Sequence, residues 1–377
     1  MKTIILNTKN VLPLLANVAS VVSQKNSIPI LDTIRMNTSL KDGANILEIT
    51  ASDGETWVTQ YTNVDGDDGL DVCVNANDLL KGLRNLEEEN VDFIADESDN
   101  SILCKYSNGY FKLVYEDSSN YPKHDIDLNE SSSHNIDSSK LLSYISGVQY
   151  AVNNDTLRPI FNTIHFDFFE DNMVVVATDG QRLAKIKDCN VTCEKCESFN
   201  LPIKPANIIA NILSMTKGDV QCVFNNTGIS FSNNDFVLTT RLLEGKYPNY
   251  DSVIPTASNY KAVVAKQTII SAIKRVAPMG NATSELMKMS FNFSEIKVSA
   301  ENLDFCKKGE ETLECNYNGV KMDIGFKSSY LLQTLQNMNC ENVEINLIAP
   351  NRACILSPCE KEENVEFTYL LMPLLLD

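Results

Sequence analysis

The chain contains a short motif that occurs twice, because Pro29-Ile30-Leu31-Asp32-Thr33-Ile34 returns as Pro159-Ile160-Phe161-Asn162-Thr163-Ile164. A second motif, Ala51-Ser52-Asp53-Gly54-Glu55, returns as Ala177-Thr178-Asp179-Gly180-Gln181. The two offsets are 130 and 126 residues, and a third of the 377-residue chain is close to the same length. Two motifs that recur in the same order at one spacing indicate a duplicated unit. A tandem array favours a geometric role, such as a scaffold or ring, over a single catalytic pocket.

Composition and charge limit the class of protein. The hydrophobic fraction is 43%, which is ordinary for a globular protein. No apolar run approaches the ~20 residues of a membrane span, and the first residues break their apolar stretch too early for a signal peptide. Eleven cysteines without an export signal predict reduced thiols in the cytoplasm. The net charge of −18 argues against general affinity for nucleic acid, although a local basic surface is compatible with it.

Apolar residues at helical spacing predict two helices in each third of the chain. Leu141, Ile145 and Val148, for example, share one face of a helix. Leu79, Leu80 and Leu83 do the same in another. The predicted first helices are residues 10–22, 139–152 and 268–277, and the predicted second helices are residues 76–86, 205–215 and 328–338.

Short alternating runs predict strands between and after the helices. Ile164-His165-Phe166-Asp167-Phe168 and Val343-Glu344-Ile345-Asn346-Leu347 each have one apolar face. The predicted fold class is α+β, with three tandem similar domains that each pack two helices on antiparallel sheet. Polar stretches at residues 129–133 and 255–259 lead to predicted domains at 1–132, 133–256 and 257–377.

One cysteine cluster offers an alternative function. Cys189, Cys193 and Cys196 have the spacing C-x3-C-x2-C, and three thiolates on one loop suit zinc or an iron–sulfur cluster. The fourth ligand that zinc needs has only Cys222 as a candidate. A metal-dependent enzyme built on this cluster is therefore the second hypothesis. The sequence has no P-loop, GxGxxG or G-x-S-x-G motif, and the repeated Asp-Gly is interpreted as a turn.

Five motifs in order along the whole chain resemble the bacterial DNA polymerase sliding clamp, the beta subunit of the replicative polymerase. The motifs are Leu157-Arg158-Pro159-Ile160-Phe161-Asn162, Ala177-Thr178-Asp179-Gly180-Gln181-Arg182-Leu183-Ala184, Leu243-Glu244-Gly245-Lys246-Tyr247-Pro248-Asn249-Tyr250, Asp323-Ile324-Gly325-Phe326 and Tyr369-Leu370-Leu371-Met372-Pro373-Leu374.

The resemblance implies a DNA clamp fold and a function without catalysis. In that family two chains join head to tail, and their six domains form a ring that encircles duplex DNA, with helices lining the hole. The implied protein is a processivity factor with no catalytic residues and no cofactor. Its implied partners are a second copy of the chain, duplex DNA, the alpha subunit of the replicative polymerase, the clamp loader, and other replication and repair proteins that carry a clamp-binding motif.

The resemblance also implies a cleft that takes short apolar peptides from these partners. We call the matching positions the candidate cleft, and they are Phe161, Thr178, Gly180, Gln181, Arg182, Leu183, Pro248, Val253, Tyr330, Leu370, Met372, Pro373 and Leu374. Two features depart from the family pattern. Gln181 stands where many relatives carry histidine, and the tail Leu374-Leu375-Leu376-Asp377 lacks the basic residue that relatives usually place there.

Two further residue sets follow from the resemblance. The expected DNA-facing residues are Lys9, Lys25, Lys81, Arg84, Lys140, Lys204, Lys266, Lys274 and Lys327. The expected dimer interface includes Phe111 and Leu113 of the first domain, and Pro278 and Met279 of the third.

Overall fold

The computed structural model describes residues 1–22, 28–86, 88–153, 155, 157–193 and 195–376. Lys25 of the expected DNA-facing set lies outside the described residues. Within them, the helices are α1 (Thr8–Ala19), α2 (Ala76–Leu83), α3 (Ser138–Gln149), α4 (Ile203–Leu213), α5 (Lys266–Val276) and α6 (Ser328–Asn337). All six predicted helices are confirmed, each end within three residues of its predicted position. In the same ranges no helix is long and apolar enough to cross a membrane.

The strands are short and connect by tight turns. Their bounds are β1 (Lys2–Asn7), β2 (Thr33–Lys41), β3 (Ala44–Ser52), β4 (Thr56–Asn63), β5 (Asp65–Gly66), β6 (Asp71–Asn75), β7 (Asn90–Asp96), β8 (Ser101–Tyr106), β9 (Gly109–Asp117), β10 (Ser132–Asp137), β11 (Thr163–Phe168), β12 (Met173–Thr178), β13 (Arg182–Asp188), β14 (Glu197–Pro202), β15 (Asp219–Phe224), β16 (Gly228–Ser232), β17 (Phe236–Arg241), β18 (Tyr260–Ala265), β19 (Leu286–Asn292), β20 (Glu295–Asn302), β21 (Lys307–Glu314), β22 (Asn316–Tyr317), β23 (Met322–Lys327), β24 (Asn342–Leu347), β25 (Cys354–Pro358) and β26 (Val365–Leu371).

The chain divides into two compact units. The first unit comprises Met1–Leu142 and Lys204–Leu242. Its strands form one antiparallel sheet in the order β10-β15-β16-β17-β4-β3-β2-β6-β9-β8-β7-β1-β5. Helices α1 and α2 pack against each other in this unit, and their apolar faces bury Val11, Leu15 and Leu79. Burial of such a face is what stabilises a short helix in water.

The second unit comprises Ser143–Ile203 and Leu243–Asp377. It contains a sheet in the order β14-β11-β12-β13-β26-β25-β24-β18-β22 and a smaller one in the order β21-β20-β19-β23. Helices α5 and α6 pack against each other here, with Ile269, Ile273 and Leu331 fully or almost fully buried. Every strand pair described in both units is antiparallel, as the sequence pattern predicts.

The two-unit division cuts through the middle repeat because its strands continue the sheets of its neighbours. Val237, Leu238 and Thr239 of β17 pair with Thr59, Val58 and Trp57 of β4. Residues 182–188 of β13 pair with residues 365–371 of β26. Continuous hydrogen bonding across a repeat boundary merges two small sheets into one and leaves fewer open edges.

The repeated motifs adopt the same local structure. Residues 29–32 and 159–162 are each one turn of 3₁₀ helix, followed by a threonine whose hydroxyl donates back to the third preceding carbonyl. The carboxylate of Asp53 accepts from the backbone N–H of Glu55 at 3.0 Å and of Thr56 at 2.8 Å. The carboxylate of Asp179 accepts from Gln181 and Arg182 at 2.8 and 2.9 Å. The interpretation of Asp-Gly as a repeated turn is confirmed.

Candidate functional site

All the candidate-cleft residues lie in the second unit. They come from five segments: the residues that follow α3, the turn between β12 and β13 with its flanking strand ends, the loop before β18, the start of α6, and the end of β26 with the C-terminal tail. Four features of the second unit involve these segments: a buried apolar cluster, a buried arginine, a loop fixed by polar contacts, and a docked C-terminal tail.

The apolar floor is a buried cluster around Leu183. Leu183 pairs with Leu370 across β13 and β26, and both are at most 3% exposed. Val176, Tyr247 and Tyr250 complete the cluster at this point, and Ile160 and Ile254 pack on its margin. Phe161, the neighbour of Ile160, is half-buried. Val253 and Met372, in the segments that carry Tyr250 and Leu370, are more exposed, at 54% and 46%.

Arg182 is buried, and its guanidinium contacts a carboxylate, a side-chain amide and two aromatic rings. Its Nε donates to the Asp179 carboxylate at 3.0 Å, and its Nη1 donates to Gln333. The ring of Tyr330 lies 4.3 Å from the guanidinium carbon, and the ring of Tyr150 lies 5.3 Å away. Burial raises the pKa of the Tyr150 hydroxyl. A cation held by a carboxylate and aromatic faces fixes the position of the turn and of Tyr330.

The turn between β12 and β13 is shaped by short-range hydrogen bonds. The Thr178 hydroxyl donates to the Arg182 carbonyl at 2.7 Å and accepts from the Gly180 N–H at 3.1 Å. Gly180 has φ of +89°, a conformation that glycine adopts without the steric cost of a side chain. The turn therefore leaves Gly180 and Gln181 exposed while Thr178 and Arg182 are buried.

The loop that contains Pro248 is fixed by polar contacts from β11 and β14. The Tyr247 ring stacks on His165 with centroids 4.4 Å apart and an interplanar angle of 5°. The Tyr250 hydroxyl donates to Asp167 at 2.6 Å, and the Asn200 amide donates to the carbonyls of Leu243 and Gly245. Burial raises the pKa of Asp167, but the hydrogen bonds from His165 and Tyr250 outweigh it and lower the pKa overall. The ionised carboxylate thus stabilises the loop.

The C-terminal tail is docked through its backbone. The Met372 N–H donates to the Gln181 carbonyl at 2.8 Å, and the Leu374 N–H donates to the Gly325 carbonyl at 2.8 Å. Leu374 thereby adds to the edge of the small sheet at β23. A Cβ atom at position 325 would lie 2.6 Å from the Leu374 oxygen and 3.0 Å from the Leu376 side chain. Glycine at 325 is therefore what allows the tail to approach so closely.

Sequence reasoning missed several residues of this site. Tyr150, Gln333, His165, Asp167 and Asn200 hold its parts in place, and most of them lie far along the chain from the residues that they contact. One signal was available, since His165 and Asp167 alternate on one face of a predicted strand. The aromatic and amide partners of Arg182 had no comparable signal.

The expected DNA-facing residues that the structure describes lie on or beside the helices. Lys9, Lys81, Arg84, Lys140 and Lys274 are exposed. The Lys9 ammonium is 2.8 Å from Glu88. The Lys204 ammonium contacts Asp53 at 2.5 Å and donates to the Val21 carbonyl, and that of Lys266 donates to the Met338 carbonyl. Lys327 differs from the others, because its ammonium lies 4.6 Å from the ring centroid of Tyr330, a candidate-cleft residue.

The helices differ in charge from the rest of the chain. Together α1 to α6 contain seven basic residues and one acidic residue, Asp78. The net charge of these helices is +6. Because the whole chain has a net charge of −18, the residues outside the helices carry a net charge of −24. This segregation produces local basic surface in an acidic protein.

The expected dimer-interface residues lie beside two open strand edges. Phe111 on β9 packs its ring over Gly82, where an added Cβ would lie 2.6 Å away. Met279 packs in the same way over Gly309 of β21. In the described residues, β21 pairs only with β20, and residues 109–114 of β9 pair only with β8. Leu113 is half-buried, and Pro278 is exposed.

The cysteine cluster lies in the loop between β13 and β14. Cys189 and Cys196 are exposed, Cys193 is half-buried, and Cys222 is buried in β15. Partial burial raises the pKa of the Cys193 thiol, which disfavours the thiolate that binds metal. Among the described residues, no group of three or more His, Cys, Asp and Glu residues is arranged to hold a metal ion.

Comparison with known proteins identifies the family. Models of the DNA polymerase III beta subunit match its N-terminal domain at residues 1–125, its central domain at 135–249 and its C-terminal domain at 251–375. The beta sliding clamp of Haemophilus influenzae is 23% identical over 375 residues, which is 98% of each chain. That of Pseudomonas putida is 26% identical over 365 residues and 95% of each chain.

Solved structures show the same fold. A DnaN sliding clamp from Pseudomonas aeruginosa, bound to griselimycin, has a TM-score of 0.88 at 23% identity over the whole of both chains. The beta subunit of DNA polymerase III from Thermotoga maritima also has a TM-score of 0.88, at 21% identity over both whole chains. The fold is therefore that of a DNA sliding clamp. This chain belongs to the DNA polymerase III beta subunit family.

Family membership establishes the general function. The chain is a sliding clamp of DNA replication, a processivity factor that partners DNA and polymerase and is not an enzyme. The comparisons give no support to the metal-dependent enzyme considered as the alternative.

Proposed function

We propose that two copies of this chain join head to tail into a ring that encircles duplex DNA and presents the candidate cleft to the replicative polymerase and the clamp loader. In this proposal the three domains are residues 1–132, 133–256 and 257–377, and the protein acts in the cytoplasm. DNA is held topologically, without reading its sequence.

The segregation of charge onto the helices is the observation that carries the proposal. A helix-lined hole with a net basic surface attracts the phosphate backbone, and such contacts are independent of sequence. The acidic remainder of the chain disfavours binding of DNA elsewhere. Lys9, Lys204 and Lys274 are the residues that we assign first to the DNA, because they are solvent-accessible on three different helices.

The dimer is supported by the open edges of β9 and β21. An unpaired strand edge is a template for another strand, so one chain's β9 and the other chain's β21 are complementary partners. Phe111 and Met279 stand beside these edges as apolar groups that a second copy would cover. Burial of such groups stabilises association by roughly 25 cal/mol per Å².

The cleft is supported by its combination of a rigid floor and adaptable rim. The floor around Leu183 and Leu370 is fixed by the strand pairing. The rim includes the exposed side chains of Met372 and Val253. A flexible thioether at the rim suits a site that accepts several different peptides.

Titration of a fluorescent peptide from the tail of the polymerase alpha subunit tests the cleft. Deletion of residues 372–377 removes Met372 from the rim together with the docked tail, so we expect the dimer to remain folded and peptide binding to be abolished. Phe293→Ala is the matched control, because Phe293 is an exposed apolar residue of the second unit outside the cleft. A loss of only about fivefold on deletion, which corresponds to ~1 kcal/mol, would mean that the tail is peripheral to the site.

A further inference from the structure

We propose that the first unit contains a second site for peptides with apolar anchors, built on the same plan as the candidate cleft and held shut by Arg241. The site lies at the turn between β3 and β4, which repeats the turn between β12 and β13. The inference rests on the proposed function of the candidate cleft, because the ligand class is taken from that site. We call the new position the latched site, and it comprises Trp57, His124, Thr239 and Arg241.

The two turns share their backbone geometry. Gly54 has φ of +91° and Gly180 has φ of +89°. The Gly54 N–H donates to the Ser52 hydroxyl at 2.9 Å, and the corresponding bond to Thr178 in the second turn is 3.1 Å long. Each turn leads into a strand that pairs with a strand of the next repeat. The duplication therefore includes the frame on which the candidate cleft is built.

The same kind of apolar cluster lies behind each turn. In the first unit Ile30 and Tyr121 belong to one buried cluster. In the second unit Ile160 packs on the cluster that contains Tyr247. These residues correspond at the offsets of 130 and 126 residues that define the repeat, so the apolar support of the turn is duplicated as well.

One backbone hydrogen bond defines corresponding positions in the partner strands. The Arg241 N–H donates to the Glu55 carbonyl at 3.0 Å, and the Met372 N–H donates to the Gln181 carbonyl at 2.8 Å. Arg241 therefore occupies in the first unit the place that Met372 occupies in the second. The exposed thioether of the candidate cleft is replaced by a guanidinium at the latched site.

The floor of the latched site is aromatic. Trp57 pairs with Thr239 as Leu183 pairs with Leu370, so the indole lies where the candidate cleft has a leucine. Trp57 is 8% exposed, and the His124 ring lies edge-on to it with centroids 6.3 Å apart. Among the described residues the buried indole N–H has no hydrogen-bond acceptor. A buried donor without an acceptor is destabilising, and a peptide backbone supplies carbonyl acceptors as well as apolar anchors for the ring.

Arg241 closes the site with two ion pairs. Its Nη2 donates to the Asp125 carboxylate at 2.7 Å, and its Nε lies 3.4 Å from the Glu55 carboxylate. Side chains alternate along a strand and paired residues share a face, so Arg241 lies on the same face of the sheet as Trp57. The guanidinium therefore joins the strand beside Trp57 to the loop that carries His124.

The candidate cleft lacks this latch. Asp251, which corresponds to Asp125 at the offset of 126 residues, pairs with Lys185 at 2.5 Å. Lys185 follows the floor residue Leu183 by two positions, whereas Glu55 precedes Trp57 by two positions. The loop aspartate is thus held on opposite sides of the floor residue in the two units. Only in the first unit does it meet a cation at the position of Met372.

Fluorescence of Trp57 tests the latch, because it is the single tryptophan of the chain. Exposed ion pairs contribute up to about 1 kcal/mol, so their loss should raise the population of the open site about fivefold. Acrylamide should therefore quench Trp57 about fivefold more efficiently in Arg241→Met, which gives the site the counterpart of Met372. Glu55→Gln combined with Asp125→Asn removes the partners of Arg241 instead and should give the same increase.

A short peptide with leucine and phenylalanine anchors and no tryptophan tests whether the opened site binds. We expect calorimetric titration to give one peptide per chain for the wild type and two for Arg241→Met. The peptide should reduce acrylamide quenching of Trp57 in Arg241→Met and leave it unchanged in the wild type.

A matched control separates the possible outcomes. Arg275→Met makes the same change at an exposed arginine of the second unit that is paired with Glu311, and it should behave as the wild type in both assays. Unchanged quenching in both sets of latch variants would overturn the latch. Increased quenching with one peptide per chain and no protection of Trp57 would overturn the second site. A wild type that binds no peptide would count against the candidate cleft, and protection of Trp57 in Arg241→Met would then still decide for or against the latched site.

Discussion

Replacement of Gly325 by alanine should release the C-terminal tail. The added Cβ would lie 2.6 Å from the Leu374 carbonyl oxygen, 2.9 Å from the Leu286 side chain and 3.0 Å from that of Leu376. The first of these atoms belongs to the backbone and cannot rotate away. Crowding of this kind costs about 1–3 kcal/mol. The tail is held at this point by one backbone hydrogen bond, worth about 0.5–1.5 kcal/mol, and by two half-buried leucines.

The free-energy cost of crowding is comparable to the free energy that the hydrogen bond and the two leucines contribute to docking. We therefore expect the tail to undock from Gly325 in the variant. Hydrogen exchange measures it locally. The amide of Leu374 donates to Gly325, and the amide of Met372 donates to Gln181 on the other side of Pro373. In Gly325→Ala the Leu374 amide should exchange about five- to 150-fold faster, which is the equivalent of 1–3 kcal/mol. The Met372 amide is the internal control and should change little.

Two results would refute this reasoning. Unchanged exchange at Leu374 would show that the sheet accommodates the methyl group, so that glycine is not required for docking. Equal acceleration at Leu374 and Met372 would show that the variant loosens the whole segment after β26 and not the contact at Gly325.

Four further substitutions test the dimer interface, the Pro248 loop and the DNA-facing set. Phe111→Asp and Met279→Asp should each give monomers by sedimentation, because a charge beside an open strand edge disfavours its burial; a variant that keeps the wild-type mass at micromolar concentration would contradict the interface. Tyr250→Phe should lower the free energy of unfolding by about 1.5–3 kcal/mol at pH 7, since it removes a hydrogen bond to a charged group. The pKa of Asp167 is lowered in the folded chain, so the difference in unfolding free energy between wild type and Tyr250→Phe should have its full size above pH ~4 and should shrink as the pH falls through the lowered pKa. Urea unfolding at pH 7 and at pH 3 measures this difference at the two pH values, and an equal difference at both would be contrary to the assignment. Lys204→Glu should reduce loading on DNA and the steepness of its salt dependence, because it removes a phosphate contact; loading that matches wild type at every salt concentration would remove Lys204 from the DNA-facing set.

The sequence predicted the helices and the repeated turns because their determinants are local. An apolar stripe such as Leu141, Ile145 and Val148 defines a helix from within its own segment. The Asp53 and Asp179 turns depend on hydrogen bonds that span only three residues. Such features do not need knowledge of any distant part of the chain.

The sequence could not predict contacts between distant segments. The pairing of β17 with β4 joins residues about 180 positions apart, and nothing in either strand specifies the other. The place of Lys327 is a second example. Its position before α6 resembles that of the lysines beside the other helices, but its ammonium lies beside the ring of Tyr330 and the carboxylate of Glu285. The residue sets for the DNA, the cleft and the dimer remain proposals that rest on these placements.

Retention on circular and linear DNA tests the central claim most directly. The protein should be loaded by the clamp loader on a nicked circular duplex, and the fraction that stays bound should be measured before and after the circle is cut. A topological ring is expected to persist on the circle and to leave once an end is available, with little binding to short linear duplex. Equal retention on circular and linear DNA would contradict the account, because it would mean that contacts with the phosphate backbone, and not encirclement, hold the protein in place.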